Sequence, residues 1–190
     1  MSTWVVVPNT SAVFTYRWGA PPFIYTPVTV LQLTPLRFTA TAHGIPDQWP
    51  VAIPDLPSLQ KLQAVTWPPG PCDITPIRSI DANTLEFNLV DASRINAAAA
   101  TTTGNIAYQT PVNLTGFTGS FVVSSAFGVT PPLLTVAAVV DNTGKTVVVS
   151  LTGAQTAALA GTNNVFSLLM TSPTNVVTWL DSGAFVVDYV

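Results

Sequence analysis

Seventeen prolines are spread along this 190-residue sequence. Proline lacks a backbone N–H and clashes with the preceding helical turn, so a chain punctuated this densely cannot carry long helices. Between the prolines lie short runs rich in β-branched and aromatic residues, closed by Gly, Asn or Asp, which is the pattern of strands and turns. The expected strands are Trp4–Val7, Ala12–Trp18, Thr29–Leu33, Arg37–Ala42, Thr84–Leu89, Gly119–Ser124, Leu133–Val140, Thr146–Leu151, Val165–Met170, Val176–Leu180 and Ala184–Tyr189. In Thr84-Leu-Glu-Phe-Asn-Leu89 the period-2 alternation puts Leu85, Phe87 and Leu89 on one face. The class is all-β.

Two short helical stretches interrupt the strands. Thr152-Gly-Ala-Gln155 fits a capping box, and Gly161 stands where a left-handed residue can end the turn. Ser58–Ala64 is the second, with Ser58 as the cap and Leu59 and Leu62 on one face. Asn96-Ala-Ala-Ala-Ala-Thr-Thr-Thr-Gly104 reads as a linker, because three threonines and a glycine would stop any helix that the alanines start. Two β-domains are therefore expected, residues 1–96 and 105–190, joined by 97–104.

Charge narrows the function classes. Six Lys+Arg and nine Asp+Glu make up 8% of the chain, against about 25% in an average soluble domain. Threonine, with 27 copies, is the main replacement. Six basic residues cannot neutralise a phosphate backbone, so no nucleic-acid partner is expected. The apolar runs are too short for membrane spans. The start has no basic segment and no cleavage-site pattern, so no signal peptide is expected. A single Cys excludes a disulfide framework. A neutral, Thr-rich surface suits a protein packed against neighbours rather than a free monomer.

The catalytic inventory is thin. His43 is the only histidine and follows a strand, in Ala42-His-Gly-Ile-Pro46. Cys72 lies in a rigid Pro-rich turn, and nothing nearby marks an oxyanion hole. Asp141-Asn-Thr-Gly144 and Asp81-Ala-Asn-Thr84 lack the alternating acids of a calcium loop and read as Asx-type turns. Asn113-Leu-Thr115 is a formal glycosylation sequon. No catalytic residue, metal site or cofactor is expected. Of the five tryptophans, Trp49 and Trp67 lie in Pro-rich loops and Trp4 in a strand run. These three, with Phe117 and Tyr189, are the candidate interface residues.

The order of several stretches resembles proteins of tailed-bacteriophage virions. Phe38-Thr-Ala-Thr-Ala-His-Gly-Ile-Pro-Asp-Gln-Trp-Pro-Val-Ala-Ile53 is similar to a small "TATAHG" β-module of these proteins, with Gln48 where the module often has Gly. Ile80-Asp-Ala-Asn-Thr-Leu-Glu-Phe-Asn88 resembles the strand that closes it. Tyr108–Phe117, Val140–Leu159 and the strands from Asn164 to Val187 resemble the immunoglobulin-like N-terminal domain of baseplate upper proteins.

That resemblance implies a small β-barrel-like or split β-domain followed by an immunoglobulin-like β-sandwich with one short helix. It implies a non-enzymatic virion protein assembled in the host cytoplasm. Capsid decoration or cementing is the first expectation, because the chain is short and has no coiled-coil heptads, collagen repeats or long distal extension of a fibre. Its partners would be other virion proteins, major capsid or tail and baseplate subunits, and a homo-oligomer, as a trimer, follows from the analogy. A tail, baseplate or head–tail connector accessory protein is the alternative within the class. A carbohydrate-binding adhesin using exposed tryptophans is the alternative outside it.

Overall fold

A computed structural model describes residues 2–87, 90–94, 102–161 and 163–188. Among them the chain is all-β, with thirteen strands and one short α-helix. It divides into two compact units, Gly19–Val112 and the combination of Met1–Trp18 with Asn113–Val190. The first is inserted into the second in sequence, which differs from the expected tandem of 1–96 and 105–190. Of the expected linker, residues 97–101 lie outside the described residues. Thr103 and Gly104 instead open a barrel strand.

The inserted unit is a closed six-stranded barrel. Its strands are β3 (Gly19–Leu33), β4 (Leu36–Thr39), β5 (Trp49–Asp55), β6 (Thr75–Asp81), β7 (Thr84–Phe87) and β8 (Thr103–Pro111), in the order β3-β4-β7-β6-β5-β8. Every pairing is antiparallel. Alternating residues such as Val28, Val30, Leu36, Phe38, Leu85 and Phe87 fill the interior together with Trp49, Ile77 and Ile106. On β7, Glu86 points away from that core between Leu85 and Phe87. It is paired across the strands with Arg37 on β4 and Arg78 on β6. Arg37 Nε donates to Glu86 Oε2 at 2.6 Å, and Arg78 lies 3.5 Å from Oε1, so the buried carboxylate is matched from both sides.

Three barrel strands, β5, β6 and β8, and residues 19–28 of β3 lie outside the strand runs read from residue composition. Prolines hide them. A proline cannot donate to a ladder, and such residues sit at bulges or strand ends. Here the β3–β8 register shifts between Ala20 and Phe23, at Pro21-Pro22, and the β5–β8 register shifts between Ala52 and Asp55, at Pro54. Pro50 and Pro76 face each other in β5–β6. Gly104 is required on β8, where a Cβ would collide with the backbone oxygen of Asp55.

The flanking unit is a seven-stranded sheet in the order β1-β13-β12-β9-β10-β11-β2. Its strands are β1 (Ser2–Val6), β2 (Ala12–Arg17), β9 (Thr118–Ser124), β10 (Leu134–Asp141), β11 (Thr146–Leu151), β12 (Asn163–Thr171) and β13 (Val177–Val187). β10 changes partners along its length. Leu134–Ala138 pair with β9, and Val139–Asp141 pair with β11. The sheet therefore rolls over its own apolar face, and its edge strands carry rings that meet. Trp4 of β1 stacks at 3.9 Å on Phe14 of β2 and at 4.4 Å on Phe166 of β12. Phe121, Leu168, Met170 and Phe185 complete this buried face.

β1 joins β13 in parallel. The junction needs Gly183, since a Cβ there would collide with the carbonyl of its register partner Ser2. The expected helix forms after Leu151 as α1 (Gly153–Ala158), with the Thr152–Gln155 capping box in place and Gly161 at φ 73°. Thr156 is buried and its hydroxyl donates to the carbonyl of Thr10, which ties α1 to the β1–β2 turn. The other expected helix, Ser58–Ala64, is a kinked 3-10 segment over Pro57–Leu62. Leu56 rather than Ser58 occupies its N-cap position, because Pro57 takes the first helical position.

Candidate functional site

The polar residues that first suggest chemistry are used by the fold. The β4–β5 connection folds onto the β6–β7 turn, where the Ala42 N–H donates to Asn83 Oδ1 and the His43 N–H to the Ala82 carbonyl. The Ile45 N–H donates to His43 Nδ1 at 2.9 Å. That assigns the ring proton to Nε2, which donates to the Asp81 carbonyl at 2.8 Å. The Tyr108 hydroxyl donates to the His43 carbonyl. With both ring nitrogens engaged, His43 has no lone pair left to activate a nucleophile. Cys72 is exposed. Asp81 and Asp141 accept N–H bonds from Asn83 and Thr143, as Asx turns require. Among the described residues, no cluster of His, Cys, Asp and Glu could hold a metal ion.

The candidate interface residues are scattered rather than gathered. Trp49 lies wholly inside the barrel, and its indole N–H donates to the Gln109 carbonyl at 2.9 Å. It fills its own domain and is not open to a neighbour. Trp4 closes the sheet unit's interior. Phe117 is half-buried with its edge against Trp18. Tyr189 lies outside the described residues. Of the four that are described, Trp67 is the exposed one, at 47%.

A residue outside that set, Trp179, is more open still, at 66%. Strand parity explains why it escapes notice. Gly183, Phe185 and Val187 point inward along β13, and simple alternation would send Trp179 inward with them. A bulge intervenes. Leu168 pairs with Asp181 but Leu169 pairs with Trp179, leaving Leu180 unpaired and turning the indole to the outer face.

There Trp179 borders an open groove of about 170 Å³. Val122 of β9 and Val165 and Leu169 of β12 form the floor, and Phe127 and Val129 of the β9–β10 loop form the far wall. No charged side chain lines it. Val176 and Val177, also exposed, extend the apolar surface along β13.

The barrel carries a different exposed cluster. Phe23 and Tyr25, two residues apart on β3, share its outer face. Trp67 lies against both, at 5.5 Å and 5.4 Å between ring centroids. Its loop is fastened by Asp73, which accepts the N–H of Val65, the hydroxyl of Thr66 and the N–H of Gly70 at 3.0–3.1 Å. The Val65 and Gly70 N–H groups, with the Thr66 hydroxyl, hold the Asp73 carboxyl below the usual carboxylate value. Asp81 is held low by the Asn83 N–H, and Asp91 by the hydroxyls of Ser93 and Thr34.

No protein-family model, curated protein or solved structure matches the chain.

Proposed function

We propose that the chain is a non-enzymatic structural protein of a tailed-bacteriophage virion, acting as a capsid decoration or cement protein. The supporting observation is the groove of the sheet unit between Trp179 and Phe127, which is lined mainly by apolar side chains and by no charged one. A contiguous apolar surface on a well-packed domain is characteristic of contact with another subunit. Contact would proceed by burying Trp179, Phe127 and the valines around them, with threonine hydroxyls exchanging water for partner groups at the rim. The low charge of this unit lowers the desolvation cost of covering it. The partners are major capsid subunits. A trimeric homo-oligomer follows from the family analogy alone.

Placement in the tail or baseplate is the second reading. It rests on the stretch Val140–Leu159, which resembles baseplate upper proteins and forms the β10–β11 turn, β11 and the capped helix α1. Mass spectrometry of purified particles, with gold-labelled antibody in negative stain, tests both. Decoration predicts many copies distributed over the shell. Label confined to the tail selects the second reading, and particles without the chain overturn both.

A further inference from the structure

We infer that the Phe23–Tyr25–Trp67 cluster of the barrel is a binding platform for neutral saccharides. Trp67 and Tyr25 keep about half their surface open, 47% and 53%, although each has a ring neighbour. An exposed loop aromatic without support would be mobile. This one is fixed by the three hydrogen bonds to Asp73 and stiffened by Pro68 and Pro69, so little ordering remains to be done on binding.

The exposed groups define the ligand. Aromatic faces carry a negative quadrupole that attracts polarised C–H groups, such as those on one face of a pyranose ring. The Tyr25 hydroxyl and the Trp67 indole N–H stand at the ring edges, where sugar hydroxyls can meet them. The one carboxylate in the loop, Asp73, has both oxygens hydrogen-bonded within the loop, and its negative charge disfavours anionic sugars. Size points the same way. Three partly open rings, each burying about 150–250 Å² at most, fall short of the roughly 800 Å² per partner that a stable protein interface needs.

This inference is independent of the virion proposal, because it concerns the isolated chain. Saturation-transfer NMR of the full chain with neutral glucose-, galactose-, mannose- and N-acetylglucosamine-based oligosaccharides, alongside sialylated ones, tests it. Transfer to ring C–H protons of at least one neutral sugar is expected. Trp67→Ala weakens that binding by about tenfold or more, the loss of one aromatic contact. Tyr25→Ala weakens it severalfold, and Trp179→Ala leaves it unchanged. Circular dichroism confirms that each variant is folded, and Trp67→Phe serves if Trp67→Ala is not. Transfer to sialylated sugars alone, to no sugar, or undiminished in the Tyr25→Ala/Trp67→Ala double variant overturns the inference. So does a result in which the rings instead drive self-association that Trp67→Ala abolishes.

Discussion

The barrel and the sheet unit solve the edge problem of β-structure in opposite ways. The barrel closes on itself and leaves no unpaired strand edge, whereas the sheet ends in β1 and β2 and only rolls them toward each other. Charge follows the same division. Ten of the fifteen charged residues fall in the barrel, where Arg37, Glu86 and Arg78 form a matched row and Asp73, Asp81 and Asp91 fasten turns. The sheet unit has five, Arg17, Asp141, Lys145, Asp181 and Asp188. It carries instead the groove beside Trp179, which no charged side chain lines. Two units of one chain thus differ in surface chemistry: charged rows and carboxylate-fastened turns on the barrel, an uncharged groove on the sheet.

The comparison can be broken from the core outward. Trp49→Ala removes the largest fully buried side chain of the barrel and leaves the Gln109 carbonyl without its indole donor. A loss of about 4 kcal/mol is expected. Hydrogen exchange should show protection falling in β5 and β8 before β12. Equal loss in both units would contradict the separate cores. The sheet's counterpart is Gly183→Ala, which displaces β1 from β13 and unseats Trp4 from its stack, at a cost of about 2–3 kcal/mol. Near-ultraviolet circular dichroism should lose the Trp4–Phe14 signature while barrel amides remain protected.

Acid separates the two units more gently. Asp73, Asp81 and Asp91, all in the barrel, are held below the ordinary value of 3.8 by hydrogen bonds to the ionised form. Lowered folded-state values mean that their contribution is whole above about pH 5 and is lost as pH falls through the folded values. Protection of the Val65, Gly70, Asn83 and Ser93 amides, corrected for the intrinsic exchange rate at each pH, should therefore fall on going from neutral pH to below about pH 3. Unchanged protection there would show that these carboxyls do not fasten the turns. The smallest expected change is Gln48→Gly. Gln48 adopts φ 57°, a left-handed conformation that glycine takes without strain. Relief of about 1 kcal/mol of strain, partly offset by the freer unfolded chain, leaves a gain of about 0.5 kcal/mol in thermal unfolding.

The fold was legible where the signal is local. Alternation marked β7 and β11 closely, and Thr152 with Gln155 marked the start of α1, because cap and strand patterns are written within a few residues. Which strands pair is not local. β1 and β2 read as strands, but nothing in their sequences says that they join β13 and β11, far along the chain. Proline-rich β5 and β6 were hidden because the residue that signals a strand end here sits at bulges and facing positions inside a closed barrel. The site suffered in the same way. Trp67 was visible from its Pro-rich loop. Trp179 was not, because a single bulged residue at Leu180 decides which face it takes.

Hydroxyl-radical footprinting, comparing the isolated chain with intact particles, measures the central claim directly. If the sheet unit is the covered one, labelling of Trp179 and Phe127 falls sharply in the particle while labelling of Trp67 on the barrel stays near its free value. Equal labelling of Trp179 in both states would contradict the claim that its low-charge outer face exists to be buried.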